Sequence, residues 1–196
     1  MRLGPDGTLR WGRQFGSASD DRPLVVGLDP LGNVFVAGST SGVLGDGLPA
    51  AFGGLDTFVA KFSPTGKRLW HRTFNGKGNA ADIPGGLAVD RAGNVFVCGY
   101  TNGAPNEGSV GTVVKWNPNG VQQAIRYQPG TIRGGFEYDD YRAMKLDHLG
   151  NVFVAGSRTG TPANGVDLLV EKRREEVALA IEPVYIELAD EARGVV

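Results

Sequence analysis

Short apolar runs, each bounded by turn residues, recur along this chain. The first complete set covers about residues 24–29, 33–39, 56–63 and 67–74. Runs of this length that end at Gly, Pro, Asn or Asp are typical of β-strands, and helical periodicity is absent from them. The pattern therefore predicts an all-β chain built from four-stranded antiparallel units.

A 14-residue pattern occurs three times. It reads GLDPLGNVFVAGST at residues 27–40, AVDRAGNVFVCGYT at 88–101 and KLDHLGNVFVAGSR at 145–158. A second block, FVAKFSPTG at 58–66, returns as TVVKWNPNG at 112–120. Self-similarity of this kind indicates a repeat architecture, in which neighbouring units cover each other's apolar faces.

The repeats divide the chain into predicted units. We expect one repeat region over residues 1–172, with units at about 17–74, 75–128 and 129–172. Residues 1–16 are expected to be the end of an earlier unit, because GTLRW there matches the start of the fourth strand in the first complete unit.

Residues 173–196 depart from the repeat. When the units are aligned, Glu175 falls on Pro64 and no glycine follows for the turn, so the third unit is expected to lack its fourth strand. The charged run EKRREE at 171–176 favours helix, and VYIEL at 184–188 is strand-like. We therefore expect a charged, partly helical tail, either as an atypical cap of the array or as the product of a truncated reading frame.

Proline and glycine explain the turns between the runs. In DPLGN at 29–33, Pro30 sets the negative φ of a type I turn, and Gly32 can take the positive φ that returns the strand. SPTG at 63–66 and NPNG at 117–120 place Pro and Gly at the same offsets. Each unit should therefore be a meander of hairpins.

Both faces of the repeated strand are apolar. Val34 and Val36 point to one side of the predicted sheet, whereas Phe35 and Ala37 point to the other. A sheet with one wet face would alternate polar and apolar residues. The pattern instead favours sheets stacked face to face, like the blades of a β-propeller.

Two motifs carry a family resemblance. They are D-x-x-G-N-V-F-V-x-G, which begins at Asp29, Asp90 and Asp147, and D-x-F-V-A-K-F-x-P-x-G-x-x-x-W at residues 56–70. Over about residues 2–172 the chain resembles the bacterial SBBP repeat of seven-bladed β-propellers, and NHL repeats are similar only over the first motif. The resemblance implies propeller blades in an exported or surface-associated protein, without enzymatic activity typical of the repeat. Because propellers close with roughly four to eight blades, three units predict an incomplete ring.

Charge and composition exclude several partners. Twenty Lys and Arg balance 21 Asp and Glu to a net charge of −1, so nothing draws the chain to nucleic acid or an anionic membrane. No apolar stretch approaches the length of a membrane span, and residues 1–16 do not have the pattern of a signal peptide. The compartment cannot be read from these residues; the resemblance implies an extracytoplasmic or surface location.

The cysteine and histidine content argues against a metal or cofactor site. Cys98 is the only cysteine, which excludes an internal disulfide and a zinc site built on several thiolates. It stands where Ala37 and Ala155 stand in the other copies, so we expect it to be buried and inert. His71 and His148 are isolated in the sequence, and we assign no catalytic residue, cofactor or metal ligand.

Aspartates recur before the first strand of every unit and arginines in the strand before them. Two interpretations are open: a ring of charges that binds a cation or polar ligand, or the same structural contacts repeated in every unit. We favour the second, because an asymmetric ligand does not need a repeated site. The residues are Asp20, Asp21, Asp82, Asp139 and Asp140, with Arg13, Arg72 and Arg126.

The loop at 128–142, QPGTIRGGFEYDDYR, differs most between units. Loops of this kind carry function in repeat scaffolds, and aromatic and arginine side chains dominate interface hot spots. We predict an exposed partner-binding loop here; the alternative is that its rings pack on a blade edge. The candidate residues are Arg133, Phe136, Tyr138, Tyr141 and Arg142.

These observations favour a non-enzymatic binding or structural module, part of a larger bacterial exported or surface protein, with an unknown protein or glycan as ligand. The alternative is a propeller enzyme, such as a hydrolase, lyase or quinoprotein-like dehydrogenase, whose active site is incomplete in this chain. We also expect self-association through blade edges, with residues 8–15 of one chain beside residues 167–172 of another. The alternative is an open, aggregation-prone array, if the chain is a fragment.

Overall fold

The computed structural model describes most of the repeat region and three residues of the tail. The described residues are 1–45, 54–76, 78–103, 108–128, 139–159, 166–173 and 184–185. They form fourteen β-strands and no helix. Among them there is accordingly no helix of the length and hydropathy needed to cross a bilayer.

The strands form one two-stranded hairpin and three four-stranded antiparallel sheets. The N-terminal hairpin contains β1 (Arg2–Leu3) and β2 (Leu9–Trp11). Blade 1 contains β3 (Asp21–Leu28), β4 (Val34–Thr40), β5 (Asp56–Phe62) and β6 (Arg68–Phe74). Blade 2 contains β7 (Asp82–Val89), β8 (Val95–Asn102), β9 (Ser109–Trp116) and β10 (Gln122–Tyr127). Blade 3 contains β11 (Asp139–Leu146), β12 (Val152–Thr159), β13 (Val166–Arg173) and β14 (Val184–Tyr185).

Each blade is a meander in which consecutive strands are neighbours. The predicted all-β fold of four-stranded antiparallel sheets is confirmed, and the described sheets do not close into a ring. The strands of blades 1 and 2 lie inside the unit ranges expected from the repeats, whereas β13 extends one residue past its range, to Arg173.

The expectation that the third unit lacks a fourth strand was wrong. Val184 and Tyr185, from the tail, pair antiparallel with Lys172 and Glu171 and form a two-residue fourth strand. A β-branched residue and an aromatic residue suit a strand even without the proline–glycine turn of the other units. The run at 171–176 begins in strand β13 rather than in a helix, and the remainder of the predicted helical segment lies outside the described residues.

Face-to-face stacking buries both sides of β8, the central copy of the repeated strand. Val95 and Val97 pack with Phe35 in a cluster between blades 1 and 2. Phe96 and Cys98, which point the other way, pack with blade 3. The core is therefore not inside any sheet but between sheets, as the two apolar faces of the repeated strand predict.

Candidate functional site

The predicted partner-binding residues do not form one described cluster. Arg133, Phe136 and Tyr138 lie outside the described residues. Tyr141 and Arg142 lie next to each other in β11, the first strand of blade 3. Of the five predicted residues, the structure therefore describes these two. The side chain of Tyr141 is buried, whereas that of Arg142 is exposed.

Tyr141 is buried, which corrects the expectation that it lies on an exposed loop. Its side chain is fully inaccessible to solvent, and its hydroxyl donates a hydrogen bond to Oε1 of Gln128 over 3.0 Å. Its ring lies against Gly111, where an added Cβ would come within 2.9 Å of the ring carbons. Tyr141 pairs with Gly156 and thus takes the place that Pro23 holds in blade 1. It is a packing residue between blades 2 and 3.

Arg142 is exposed and pairs with a neighbour on its own strand. Its guanidinium lies 2.5 Å from the carboxylate of Asp140, and three quarters of its side chain is accessible to solvent. Burial raises the pKa of Asp140, and the positive charge of Arg142 opposes that shift. Arg142 is therefore available on the surface of blade 3, beside the loop at 129–138.

The D-x-x-G-N motif builds a hairpin rather than a ligand site. Oδ1 of Asp29 accepts hydrogen bonds from the backbone nitrogens of Leu31 and Asn33, and Oδ2 accepts one from the Asn33 side chain at 2.7 Å. Gly32 takes a φ of +77° in this turn. Asp90 holds Asn94 in the same way, and Asp147 holds Asn151.

The aspartate that begins each first strand bonds to its own blade or to the segment that leads into it. Asp21 accepts hydrogen bonds from Thr40 at the end of β4 and from Ser17. Asp82 accepts one from the backbone nitrogen of Gly76. Asp139 pairs with Arg158 over 3.2 Å. In the described part of the chain, no cluster of His, Cys, Asp and Glu is able to hold a metal ion, and these contacts support the structural interpretation of the repeated charges.

The recurring Trp-x-Arg sequence joins the outer strand β6 to the next blade. Trp70 donates from Nε1 to the backbone oxygen of Pro118 at 2.9 Å, and Arg72 donates from Nε to the oxygen of Gly120 at 2.7 Å. The N-terminal hairpin repeats the arrangement on blade 1. There, Trp11 donates to Pro64 and Arg13 to Gly66. We call this four-residue arrangement the clamp.

Comparison with known families places these features in one repeat. Residues 10–45 and 70–105 each match the sequence model of a β-propeller repeat named SBBP. These two segments carry the SBBP repeat. No curated protein matches the chain.

The two matched SBBP segments cross the boundaries between sheets. Each begins in an outer strand, β2 or β6, and ends after the second strand of the following blade. One match therefore contains a Trp-x-Arg sequence, a first-strand aspartate and a D-x-x-G-N hairpin. The sequence shows that Trp70 and Arg72 have counterparts at Trp11 and Arg13. Their acceptors, however, are backbone oxygens, and every residue has one, so the sequence does not indicate which oxygens accept. For this reason the sequence did not predict the clamp.

Cys98 is buried in the second SBBP segment, as predicted. Its thiol donates to the backbone oxygen of Ala143 in blade 3 at 3.6 Å. Burial raises the pKa of the thiol to about 12. A thiol that stays protonated at neutral pH is a poor nucleophile and a poor metal ligand. His148 is exposed in the hairpin turn between β11 and β12.

A cavity of about 540 Å³ lies between the N-terminal hairpin and blade 1. Arg2 lines the cavity and donates to the backbone oxygen of Pro64 at 2.9 Å. Its lining combines two arginines, an indole and several backbone groups, without an imidazole or a carboxylate. The lining residues are Arg2, Leu3, Gly4, Pro5, Arg10, Trp11, Pro64 and Thr65. The described lining offers no general base.

Proposed function

We propose that this chain is a non-enzymatic binding or structural repeat module that belongs to a larger bacterial exported or surface protein. The observation that carries the proposal is how the repeated polar side chains are used. The polar side-chain atoms of Asp29, Trp70 and Arg72 form hydrogen bonds within or between blades. Residues that repeat in this way hold the scaffold together, and specificity is left to the segments that differ.

The segment that differs most, 128–142, is the proposed contact surface for a protein or glycan. Its ends are held by the blades, because Gln128 and Tyr141 are hydrogen-bonded to each other between blades 2 and 3. A loop with fixed ends loses less conformational entropy on binding than a free segment. Arg133, Phe136 and Tyr138 keep their proposed role as contact residues, with Arg142 beside them; Tyr141 supports the loop and does not contact the ligand.

The proposal is tested by separating binding from folding. The full chain is applied to an array of bacterial and host glycans and to a panel of immobilised peptides. A variant with Arg133, Phe136 and Tyr138 replaced by Ser should keep the parent's thermal melt and lose the array signals. Tyr141→Ser is the matched control, which should lower the melting temperature because it empties a buried site.

Evidence of catalysis by the purified chain would contradict the proposal that the module is non-enzymatic. A stoichiometric metal found by elemental analysis of the purified chain, together with turnover of a hydrolase or lyase substrate panel, would replace the proposal by the enzyme class. Unchanged array signals in the Ser variant would remove the loop from the proposed surface while leaving the scaffold role intact.

A further inference from the structure

The tight turns of the blades all lie at one end of the stacked sheets. In a four-stranded meander the first and third hairpins share one end, and the other connections share the opposite end. We call the opposite end, at which β10 ends and β11 begins, the loop face. We call the end with the tight turns the turn face; its described turns are at 4–7, 29–33, 63–66, 90–94, 117–120 and 147–151.

Neighbouring blades point their turns in the same direction. Gly93, in a turn of blade 2, lies beside the carboxylate of Asp29 in a turn of blade 1. Gly85 and then Gly86 of β7 lie against successive residues of β11, so blades 2 and 3 run in parallel. Because blades stack side by side in this way, further blades of a larger protein would lie beside the turn face and would not cover it.

The turn face exposes apolar side chains at the tips of its hairpins. Leu31 is 80% exposed and Leu149 is 74% exposed, at the same position of the D-x-x-G-N turn in blades 1 and 3. Ala92 holds this position in blade 2 and is also exposed, although blade 2 has a neighbour on each side. Val121, beside the 117–120 turn of the same blade, is 53% exposed. The exposure is therefore a property of the turns and not of the ends of the array.

Basic side chains surround these apolar tips. Lys67 and Arg91 are exposed in or beside turns of blades 1 and 2. Arg2 donates from its guanidinium to the backbone oxygen of Pro64, in a turn of blade 1. Arg10 is exposed in the N-terminal hairpin. The turn face thus combines exposed leucines with positive charge.

The carboxylates of the turn face offset little of this charge. Asp29 is buried, accepts hydrogen bonds within its own turn and lies 3.8 Å from Nζ of Lys61. Asp90 and Asp147 accept the same bonds in their turns and are half-buried. Among the described residues of this face, Asp6 alone carries an exposed carboxylate.

The loop face has the opposite charge. Its arginines Arg22, Arg142 and Arg158 each pair with an aspartate of the same end. Acidic side chains outnumber them among the described residues, which include Asp20, Asp21, Asp56, Asp82, Asp139 and Asp140. The net charge of −1, from which the sequence predicts no attraction to an anionic membrane, therefore conceals two ends of opposite sign.

We propose that the turn face docks on the surface of an anionic bilayer, with the tips at Leu31 and Leu149 among the lipid headgroups. Basic side chains near such a surface are attracted to it, and each strengthens binding about fivefold. Exposed leucines add binding by burying apolar area at the headgroup boundary. The acidic loop face then points away from the bilayer, which leaves Gln128 and Asp139, at the two sides of the proposed contact loop, on the far side of the molecule.

Flotation of the full chain with lipid vesicles tests the proposal. The chain should bind vesicles of equal parts phosphatidylglycerol and phosphatidylcholine but not vesicles of phosphatidylcholine alone, and added salt should weaken the binding by screening. Lys67→Gln/Arg91→Gln should weaken it at least about tenfold, because two cations leave the turn face. Arg22→Gln/Arg126→Gln is the matched control, since it removes the same charge from exposed positions elsewhere and should bind as the parent does.

An environment-sensitive dye shows which end meets the bilayer. On a Leu31→Cys chain the dye should brighten and shift to the blue with the anionic vesicles. On an Asp20→Cys chain, labelled at the loop face, the emission should not change. Cys98 is buried and does not compete for the label.

Four results would overturn the proposal. They are no flotation with either vesicle, equal binding to both vesicles, a Lys67→Gln/Arg91→Gln chain that binds as the parent does, and a dye response on the Asp20→Cys chain instead of the Leu31→Cys chain. Binding to soluble polyglutamate without binding to vesicles would assign the turn face to an acidic protein instead. Melting curves of the variants, expected to match the parent's, separate lost docking from lost folding.

Discussion

The indole nitrogen of Trp70 donates a hydrogen bond to the backbone oxygen of Pro118, 2.9 Å away in the next blade. The same indole lies over Gly120, where an added Cβ would approach it to 2.8 Å. Gly120 has a φ of +76°, so glycine is required there for the turn and for the approach. The turn at 117–120 thus provides both the backbone oxygen that accepts the hydrogen bond and the glycine against which the indole ring packs.

The contact between blades 2 and 3 differs from the repeat at two positions. Ala124 replaces the tryptophan in blade 2, and Glu175 stands where blade 3 should have the proline of the turn. Arg126 keeps the bond from its guanidinium to the preceding backbone oxygen that Arg72 also makes. Blade 2 therefore lacks the tryptophan donor, and blade 3 lacks the proline–glycine turn that would accept its hydrogen bond. The joint loss is expected if each part of the clamp is useful only with the other.

Phe96→Ala should remove much of the stability of the fold. Phe96 is 3% exposed and fills the space between blades 2 and 3, with Lys115 5.1 Å above its ring centre. Truncation of a buried phenylalanine costs about 3–5 kcal/mol. Chemical denaturation measures this loss, with Leu31→Ala, at an exposed turn position, as the matched control. A midpoint unchanged from the parent would mean that the strand's two apolar faces have been assigned wrongly.

Asp82→Asn should change how stability depends on pH. Burial raises the pKa of Asp82 above the ordinary value of about 3.9, while the Gly76 amide opposes the shift. The folded chain then binds more protons than the unfolded chain between the two pKa values. The free energy of unfolding therefore falls as pH rises through that window, and it is highest below it.

Asparagine does not titrate but can still accept the hydrogen bond from Gly76. Urea denaturation at several pH values above about pH 4 should therefore show a smaller decline for Asp82→Asn than for the parent. Asp20→Asn, at an exposed aspartate, is the control and should follow the parent curve. Parallel curves for all three proteins would show that the Asp82 carboxyl is not destabilised by burial.

Cys98 should resist modification while the chain is folded. Burial raises the pKa of the thiol to about 12, so it stays protonated at pH 8, and the sulfur is shielded by blade 3. An aromatic disulfide reagent should therefore label the native chain slowly and the urea-unfolded chain within the mixing time. Immediate labelling of the native chain would place Cys98 outside the packed junction.

The hairpins and the stacked sheets were predictable because both follow from local rules. Asp29 and Gly32 specify a turn by their own chemistry, and the two apolar faces around Phe35 require a neighbour on each side. Tyr141 was not predictable in the same way, because a ring after two aspartates has the composition of a surface loop. Only its alignment with the buried Pro84 of blade 2, which also lies opposite a glycine in the next strand, signals that it is buried.

The pairing of the tail strand and the clamp escaped prediction for different reasons. The segment VYIEL at 184–188 is strand-like in sequence, but the pairing of Val184 and Tyr185 depends on the edge of β13. The clamp joins side chains to backbone oxygens about 50 residues away. Such contacts are set by how the blades stack, which no local pattern records.

The central claim, that the repeated residues hold blade to blade, is tested most directly by the free energy of unfolding of Trp70 variants. Trp70→Ala should cost about 2–3 kcal/mol, because a half-buried ring and its hydrogen bond are lost, and Trp70→Phe about 1 kcal/mol. Ala124→Trp, which offers the same donor to a blade without the turn, should bring no gain in stability. A Trp70→Ala chain as stable as the parent would contradict the claim.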